Sequence, residues 1–184
     1  MSSEKRYQGS YCPTKNECLE LLEEYGTPEH VKKHCIAVAT VAGNIADELN
    51  KIGLKLNLPL IMSAGYLHDI ARVSSGHETV GAEYLESIGL ESVSEIVRYH
   101  TFHNIVNTGF DITEMDVLCI ADRLVLEDKF AGAEKRMQYI KGKALKKFGP
   151  ESAKEIDMYI RSFLEYIENL ENFLGKHISE FVEI

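Results

Sequence analysis

Four polar residues of this sequence stand on otherwise apolar helical faces: His34, the adjacent pair His68 and Asp69, and Asp122. Charged groups are almost never fully buried unless they are paired or bound to a metal, because an isolated desolvated charge costs many kcal/mol. For any one of them, a satisfied core histidine or a capping aspartate is the ordinary interpretation. The four together indicate a shared site.

The chemistry of these four side chains favours a metal. Two imidazoles and two carboxylates form a mixed nitrogen and oxygen set, which suits Mn, Fe, Co, Ni or Zn, and the lack of thiolates argues against a structural zinc site. His68 and Asp69 point about 100° apart on a helix, yet both can reach one ion beside the helix end. We therefore expect a divalent transition metal as cofactor.

The order His34, His68-Asp69, Asp122 resembles the HD superfamily, whose members use H…HD…D to hold a metal in a helical bundle. The segment that carries the resemblance is Leu67-His68-Asp69-Ile70-Ala71-Arg72, which looks like the HDIGK signature with Ala71 for Gly and Arg72 for Lys. The resemblance covers about residues 27–125. It implies an all-α HD-domain helical bundle with additional C-terminal helices.

Two further histidines extend the resemblance: His77 in the segment Gly76–Ala82 and His100 in Ile96–Thr101. In binuclear HD phosphohydrolases, including the family that splits diadenosine tetraphosphate symmetrically, histidines at matching places complete a second metal site. The resemblance thus implies one or two ions per chain. The first ion would be held by His34, His68, Asp69 and Asp122, and the second by His77 and His100 with Asp69 as the bridge.

The resemblance implies a metal-dependent phosphohydrolase acting on a phosphate ester or anhydride of a small nucleotide-like molecule. A divalent ion lowers the pKa of bound water from 15.7 toward roughly 7 and polarises a phosphoryl oxygen, so no side-chain nucleophile is needed. We assign catalysis to Asp69, His68 and Arg72, with Asp69 as ligand and proton acceptor. Substrate binding falls to Arg72, Arg123 and His103, and His103 could instead replace His77 as a ligand.

Other interpretations stay open at this point. Each arginine could be a solvated surface residue. Some HD proteins bind two irons and act as oxygenases, and a third alternative is a non-catalytic module that binds a small molecule beside a structural metal.

The residue patterns predict helices almost throughout, with no period-two run of β-branched residues long enough for a sheet. Thr27-Pro28-Glu29 predicts a helix start with a threonine cap, and Thr113 to Asp116 predicts a capping box. The expected helices span about residues 27–50, 59–69, 77–88, 91–101, 113–125, 130–148 and 150–174.

Length and composition predict one domain of 184 residues. We expect a flexible tail at 1–14 and a single HD-type domain at 15–184, with a metal-binding core at about 27–128 and C-terminal helices at 129–184. The net charge of −9 argues against long nucleic acids as partners. No apolar run approaches the ~20 residues that span a bilayer, so we expect a cytoplasmic protein without membrane contact. Aromatic residues at helical spacing after residue 139 fit either core packing or a homodimer face.

Overall fold

The computed structural model describes residues 6–101 and 111–182, which form eight α-helices and one two-stranded antiparallel sheet. The all-α class is thereby confirmed. The helices are α1 (Lys15–Tyr25), α2 (Glu29–Lys51), α3 (Leu58–Leu67), α4 (His77–Ser87), α5 (Glu91–Tyr99), α6 (Glu114–Asp122), α7 (Ala133–Phe148) and α8 (Ala153–Leu174). The strands are β1 (Val125–Leu126) and β2 (Lys129–Phe130), and short 3-10 turns cover Pro150–Ser152 and Ile178–Glu180.

Helix α2 is the central element, because it packs against α3, α6 and both strands. Its inward stripe recurs every three or four residues, as the sequence predicts for an amphipathic helix. The stripe residues are all buried: Val31, Cys35, Val38, Ala42, Ile45 and Leu49. Since His34 lies beside this stripe, the packing of α2 also brings it to the interior.

Helices α2 and α3 approach very closely at Gly65. A Cβ atom at this position would lie 2.6 Å from the Cα atom of Ala39 on α2, a distance that no side chain tolerates. Only glycine therefore fits at this crossing. The contact sets how near the end of α3, which leads into His68 and Asp69, comes to α2.

The helix starts follow the predicted caps in one case and depart from them in another. Thr113 and Asp116 form the predicted capping box of α6. Thr27, however, does not cap α2. Pro28 occupies the N-cap position, and the Thr27 hydroxyl donates to the carbonyl of Ile70 at 2.8 Å. This buried residue thus ties the start of α2 to the turn after α3.

The helix predicted from residue 130 begins three residues later, at Ala133, because residues 125–130 form a hairpin. Val125 pairs with Phe130 and Leu126 with Lys129, so Glu127 and Asp128 form the two-residue turn. Glu127 has φ 58°, which places it in the left-handed region, and it is the only non-glycine residue of the described chain to do so.

The two ends of the described chain contact the body. The Tyr7 amide donates to the Ile88 carbonyl at 2.8 Å, and the Pro13 carbonyl accepts from Ser63 Oγ at 2.9 Å, so part of the expected tail is held in place. Near the other end, Lys176 pairs with Glu48 of α2. None of the helices in the described ranges is long and apolar enough to cross a membrane.

Substituting Gly65→Ala should destabilise the protein by about 2–3 kcal/mol, because overpacking forces α2 and α3 apart. Gly142→Ala on α7 is the control, since nothing lies within 4 Å of the added carbon; it should stabilise by about 0.5–1 kcal/mol. Urea unfolding monitored by circular dichroism measures both. Equal effects of the two variants would contradict the close approach at Gly65.

Candidate metal centre

The residues predicted to bind metal lie at helix ends, apart from His34 in the second turn of α2. His68 directly follows α3 and His100 directly follows α5. Asp69 lies in the turn after His68. His77 is the first residue of α4, and Asp122 is the last residue of α6. The structure brings all six together.

His68 and His100 are oriented by the same local device. His68 Nδ1 lies 2.8 Å from the Gly65 carbonyl, and His100 Nδ1 lies 2.6 Å from the Val97 carbonyl. Each carbonyl belongs to the last turn of a helix, where backbone oxygens lack a partner within the helix. Because a carbonyl only accepts, Nδ1 carries the proton and Nε2 is the unprotonated nitrogen, able to accept, in both rings.

His34 is oriented by the hairpin in an equivalent way. Its Nδ1 donates to the backbone carbonyl of Glu127 at 2.7 Å. Glu127 supplies this carbonyl from a left-handed conformation, which costs a residue other than glycine about 1 kcal/mol or more. The strained turn thus fixes Nε2 of His34 as the nitrogen that faces the centre.

The first group of ligand atoms is formed by His34, His68 and Asp122. His34 Nε2 lies 3.1 Å and His68 Nε2 3.9 Å from Asp122 Oδ1. Ligand atoms that share an ion at about 2.0–2.2 Å must lie within about 4 Å of one another, so these three atoms can hold a single ion.

The ligand atoms of this first group do not all have hydrogen-bond partners within the protein, as expected of atoms that bind a metal. His68 Nε2 is buried and has no hydrogen-bond partner among the described residues. In the neutral imidazole with its proton on Nδ1, His34 Nε2 and Asp122 Oδ1 are two acceptors that face each other at 3.1 Å, so either a second proton on His34 or a cation must lie between them. A cation between these atoms would satisfy all three, so the donor set fits a metal ion.

Asp69 faces two groups with its two oxygens. Oδ2 lies 3.6 Å from His68 Nε2 and 4.0 Å from His34 Nε2. Oδ1 lies 3.2 Å from His77 Nε2 and 3.9 Å from His100 Nε2. A second ligand group is formed by His68, Asp69 and His100. The geometry therefore suits a carboxylate that bridges two ions.

The His77 side of the cluster already has protein partners. His77 Nε2 lies 3.0 Å from Arg72 Nη1, and His100 Nε2 lies 3.2 Å from the Thr101 hydroxyl. An ion at this side must displace both donors. We therefore expect the second ion to bind more weakly than the first.

Burial and neighbouring charges set the protonation of the cluster. Burial lowers the pKa of His68 to about 4, although two carboxylates oppose this, so its Nε2 lone pair is available at neutral pH. Burial also opposes a charge on His34, but the hydrogen bond and charge of Asp122 outweigh it and raise the pKa of His34. The pKa values of Asp69 and Asp122 are lowered, because their histidine and arginine neighbours outweigh burial. Both therefore remain carboxylates.

The residues predicted to bind substrate have different placements. Arg72 lies at the cluster, with Nη1 3.4 Å from Asp69 Oδ1 and half of its side chain exposed. Arg123 is not brought there. It is buried, with Nε donating to Tyr159 Oη at 2.6 Å and Nη1 to the Cys119 carbonyl at 2.9 Å, which links α6 to α8. His103 lies outside the described residues.

The pocket beside the cluster shows residues that sequence reasoning missed. It has a volume of about 800 Å³ and is lined by His34, Asp69 and Arg72 together with the first turns of α2, the hairpin turn and α7. Arg136 lines it from α7, with Nη2 3.8 Å from Asp122 Oδ1. The only sequence signal for Arg136 was its place in a basic helix, which most often means a solvated face.

A family model and a curated relative each match part of this chain. The family model of the HD domain matches residues 31–138. The chain is also similar to the uncharacterized protein MJ0778 of Methanocaldococcus jannaschii, with 35% identity over 66 residues, which cover 34% of this chain and 39% of that protein. The aligned part thus spans less than half of that relative. A search of solved structures found no match.

Removing single ligands should change metal content in a graded way. His34→Ala should cost the tighter ion, whereas His77→Ala should leave about one ion per chain, because His77 belongs to the weaker side. His177→Ala is the control. The imidazole of His177 pairs with Glu171 and not with the cluster, so this variant should keep the full metal content. Elemental analysis of the purified variants measures this; identical content in all three would contradict the assignment.

Changing Glu127 should separate backbone from side-chain effects. Glu127→Gly should leave metal affinity unchanged, because glycine adopts positive φ freely. Glu127→Val should lower the affinity about tenfold, because a branched residue resists this conformation and displaces the carbonyl that orients His34. Chelator competition gives the dissociation constants, with Asp128→Val as the control. A loss in Glu127→Gly equal to that in Glu127→Val would show that the glutamate side chain matters instead.

Proposed function

Because the chain belongs to the HD domain family, we propose that it is a metal-dependent phosphohydrolase that cleaves a phosphate ester or anhydride of a small nucleotide-like molecule. The observation that carries the proposal is the pair of ligand groups that share His68 and meet at Asp69. The closer likeness to the HDIG and symmetrical diadenosine tetraphosphate hydrolase subtypes remains a prediction.

The ligand groups would hold divalent ions between them. His34, His68 and Asp122 would bind the first, and His100 and His77 the second, with Asp69 contacting both. When bound, such ions polarise a phosphoryl oxygen and lower the pKa of water toward about 7. Because the pKa of Asp69 is lowered, this residue is better suited to holding the ions than to storing a proton. Its role as proton acceptor remains a prediction.

Two arginines lie beside different carboxylates of the cluster. Arg72 contacts Asp69, and Arg136 lies near Asp122. A guanidinium offers two parallel N–H donors to a phosphate, so a phosphoryl group placed over the cluster could accept hydrogen bonds from both arginines. We therefore propose Arg72 and Arg136 as the phosphate contacts, with Arg136 in the place expected for Arg123.

The pocket also favours water as the nucleophile. Its described lining contains no serine, threonine or cysteine. Cys35 follows His34, and Cys119 Sγ contacts the His100 carbonyl at 3.2 Å. Both thiols are buried, and burial raises the pKa of Cys35 well above its usual value and that of Cys119 to about 11, so both are held as neutral thiols. Hydrolysis rather than transfer through a covalent enzyme intermediate is thus the chemistry that these side chains support.

The direct test is phosphate release from a panel of nucleotides and phosphomonoesters by protein loaded with Mn²⁺, Co²⁺, Ni²⁺ or Zn²⁺. We expect turnover of at least one substrate, and its loss after chelation. Identical rates for loaded and chelated protein across the panel would overturn the proposal. Oxygen uptake by iron-loaded protein with an organic co-substrate would favour the oxygenase alternative.

Substitutions of Arg136 and Arg123 should have different effects, the first on the kinetics and the second on the stability of the protein. Arg136→Gln should lower kcat/KM about 10- to 100-fold, the range expected for losing a charged hydrogen bond, with unchanged metal content. Arg123→Gln should lower the free energy of unfolding and leave kcat/KM of the folded protein unchanged, because Arg123 joins α6 to α8. If Arg123→Gln instead lowered kcat/KM as Arg136→Gln does, the assignment would be reversed.

A further inference from the structure

The pocket beside the metal cluster extends well beyond the room that one phosphoryl group needs. Its volume of about 800 Å³ lies within the range of sites that enclose a whole small ligand, about 300–1,000 Å³. The cluster contributes His34 and Asp69 to its lining. The other walls come from the start of α2, the hairpin turn and one face of α7, so their side chains decide what else the ligand carries.

We propose that these walls bind a linear oligophosphate, so that the ligand carries at least one further phosphate beyond the one placed at the cluster. The inference rests on the proposed function for the position of that first phosphate. The next phosphates would follow Arg136 toward Lys143 on α7 and Lys33 on α2.

Helix α7 presents a row of side chains to the pocket: Arg136, Tyr139 and Lys143. Spacings of three and four residues place them on one helix face. Arg136 Nη2 lies 3.8 Å from Asp122 Oδ1 of the cluster, and about 10 Å of helix separates the backbone of Arg136 from that of Lys143. An extended anion anchored at the cluster beside Arg136 could therefore also contact Lys143 at the next position of the row.

Tyr139 holds these two cations in place. Its ring centroid lies 5.5 Å from Arg136 Cζ and 4.9 Å from Lys143 Nζ. An aromatic face attracts a cation at such distances, so one ring steadies two like charges that would otherwise repel. Because two cations already contact the ring, Tyr139 is better suited to positioning these phosphate-binding side chains than to stacking on a nucleobase.

Among the described residues, the two lysines of the pocket have no acidic partner. In the described ranges, neither Lys33 nor Lys143 has a carboxylate within ion-pair distance, whereas Lys32 pairs with Glu23 and Glu29, and Lys141 with Asp157. Four basic and four acidic residues line this cavity, so the two lysines attract an anion only in the part of the wall where they lie.

Acidic residues also line the pocket. Glu127 and Asp128 line the pocket from the hairpin turn, and their charge would repel phosphate. Glu29 also lines it, but its carboxylate lies 3.6 Å from Lys32 Nζ. An oligophosphate is therefore expected to contact the cations of α2 and α7 rather than the hairpin turn.

The test is calorimetric titration of metal-loaded protein with inorganic phosphate, diphosphate and triphosphate, with metal content checked afterwards; the diphosphate, the triphosphate and the ATP of the parallel titration carry methylene groups in place of the bridging oxygens, so that the protein cannot hydrolyse them. We expect triphosphate to bind at least about tenfold more tightly than phosphate, the lower end for one added charged hydrogen bond. Lys143→Gln should remove about fivefold of the triphosphate affinity, since the contact is exposed, and leave phosphate affinity unchanged.

Lys147→Gln is the matched control, because Lys147 is on the same helix, contacts Phe148 and does not line the pocket. It should change neither affinity. Equal affinities for phosphate and triphosphate, or equal effects of the two lysine variants, would overturn the inference. A parallel titration with ATP tells whether the bound phosphates belong to a free oligophosphate or to a nucleotide. An ATP affinity equal to that of triphosphate indicates a free oligophosphate, and a higher ATP affinity indicates a nucleoside oligophosphate.

The two proposals fail in different ways. If the protein hydrolyses monophosphates but binds phosphate, diphosphate and triphosphate with equal affinity, the oligophosphate inference is overturned and the phosphohydrolase proposal stays intact. Triphosphate binding that depends on Lys143, without hydrolysis of any substrate in the panel, would overturn the phosphohydrolase proposal alone.

Discussion

The structure depends on hydrogen bonds from imidazole Nδ1 atoms to backbone carbonyls. For His68 and His100 the carbonyl lies in the final turn of the preceding helix, so one contact both satisfies the helix end and points Nε2 at the centre. His34 uses the hairpin instead. Because backbone oxygens hold the rings, the site is as rigid as the helices that end there, and fold and ligand geometry cannot vary independently.

The arrangement concentrates unsatisfied polarity at one point of the core. His68 Nε2 lacks a partner among the described residues, and the buried carboxylate of Asp69 and the partly buried carboxylate of Asp122 remain ionised beside it. Burying such groups is unfavourable unless a counter-charge is present. A cation that binds only the folded chain would therefore also stabilise it, by mass action, so stability and metal content are linked.

The sequence predicts most of the helices and the ligand cluster, because both depend on apolar periodicity and on residue types that are costly to bury alone. It does not predict the hairpin, since strands of two residues are too short to show a period. The Glu127 carbonyl was therefore missed, because any residue type carries one. Arg123 and Arg136 could not be ranked: a position next to a ligand does not tell whether a side chain points to the pocket or, as Arg123 does, to Tyr159.

Surface loops usually accept insertions and deletions, because their backbone positions matter little to the interior. The two-residue connection between β1 and β2 is different, since its backbone carries an oxygen on which the orientation of His34 depends. Lengthening this loop by even one residue would shift that oxygen while leaving every ligand side chain in the sequence. Among members of this family that share the hairpin, loop length at this position should therefore be as informative about metal binding as the ligands themselves.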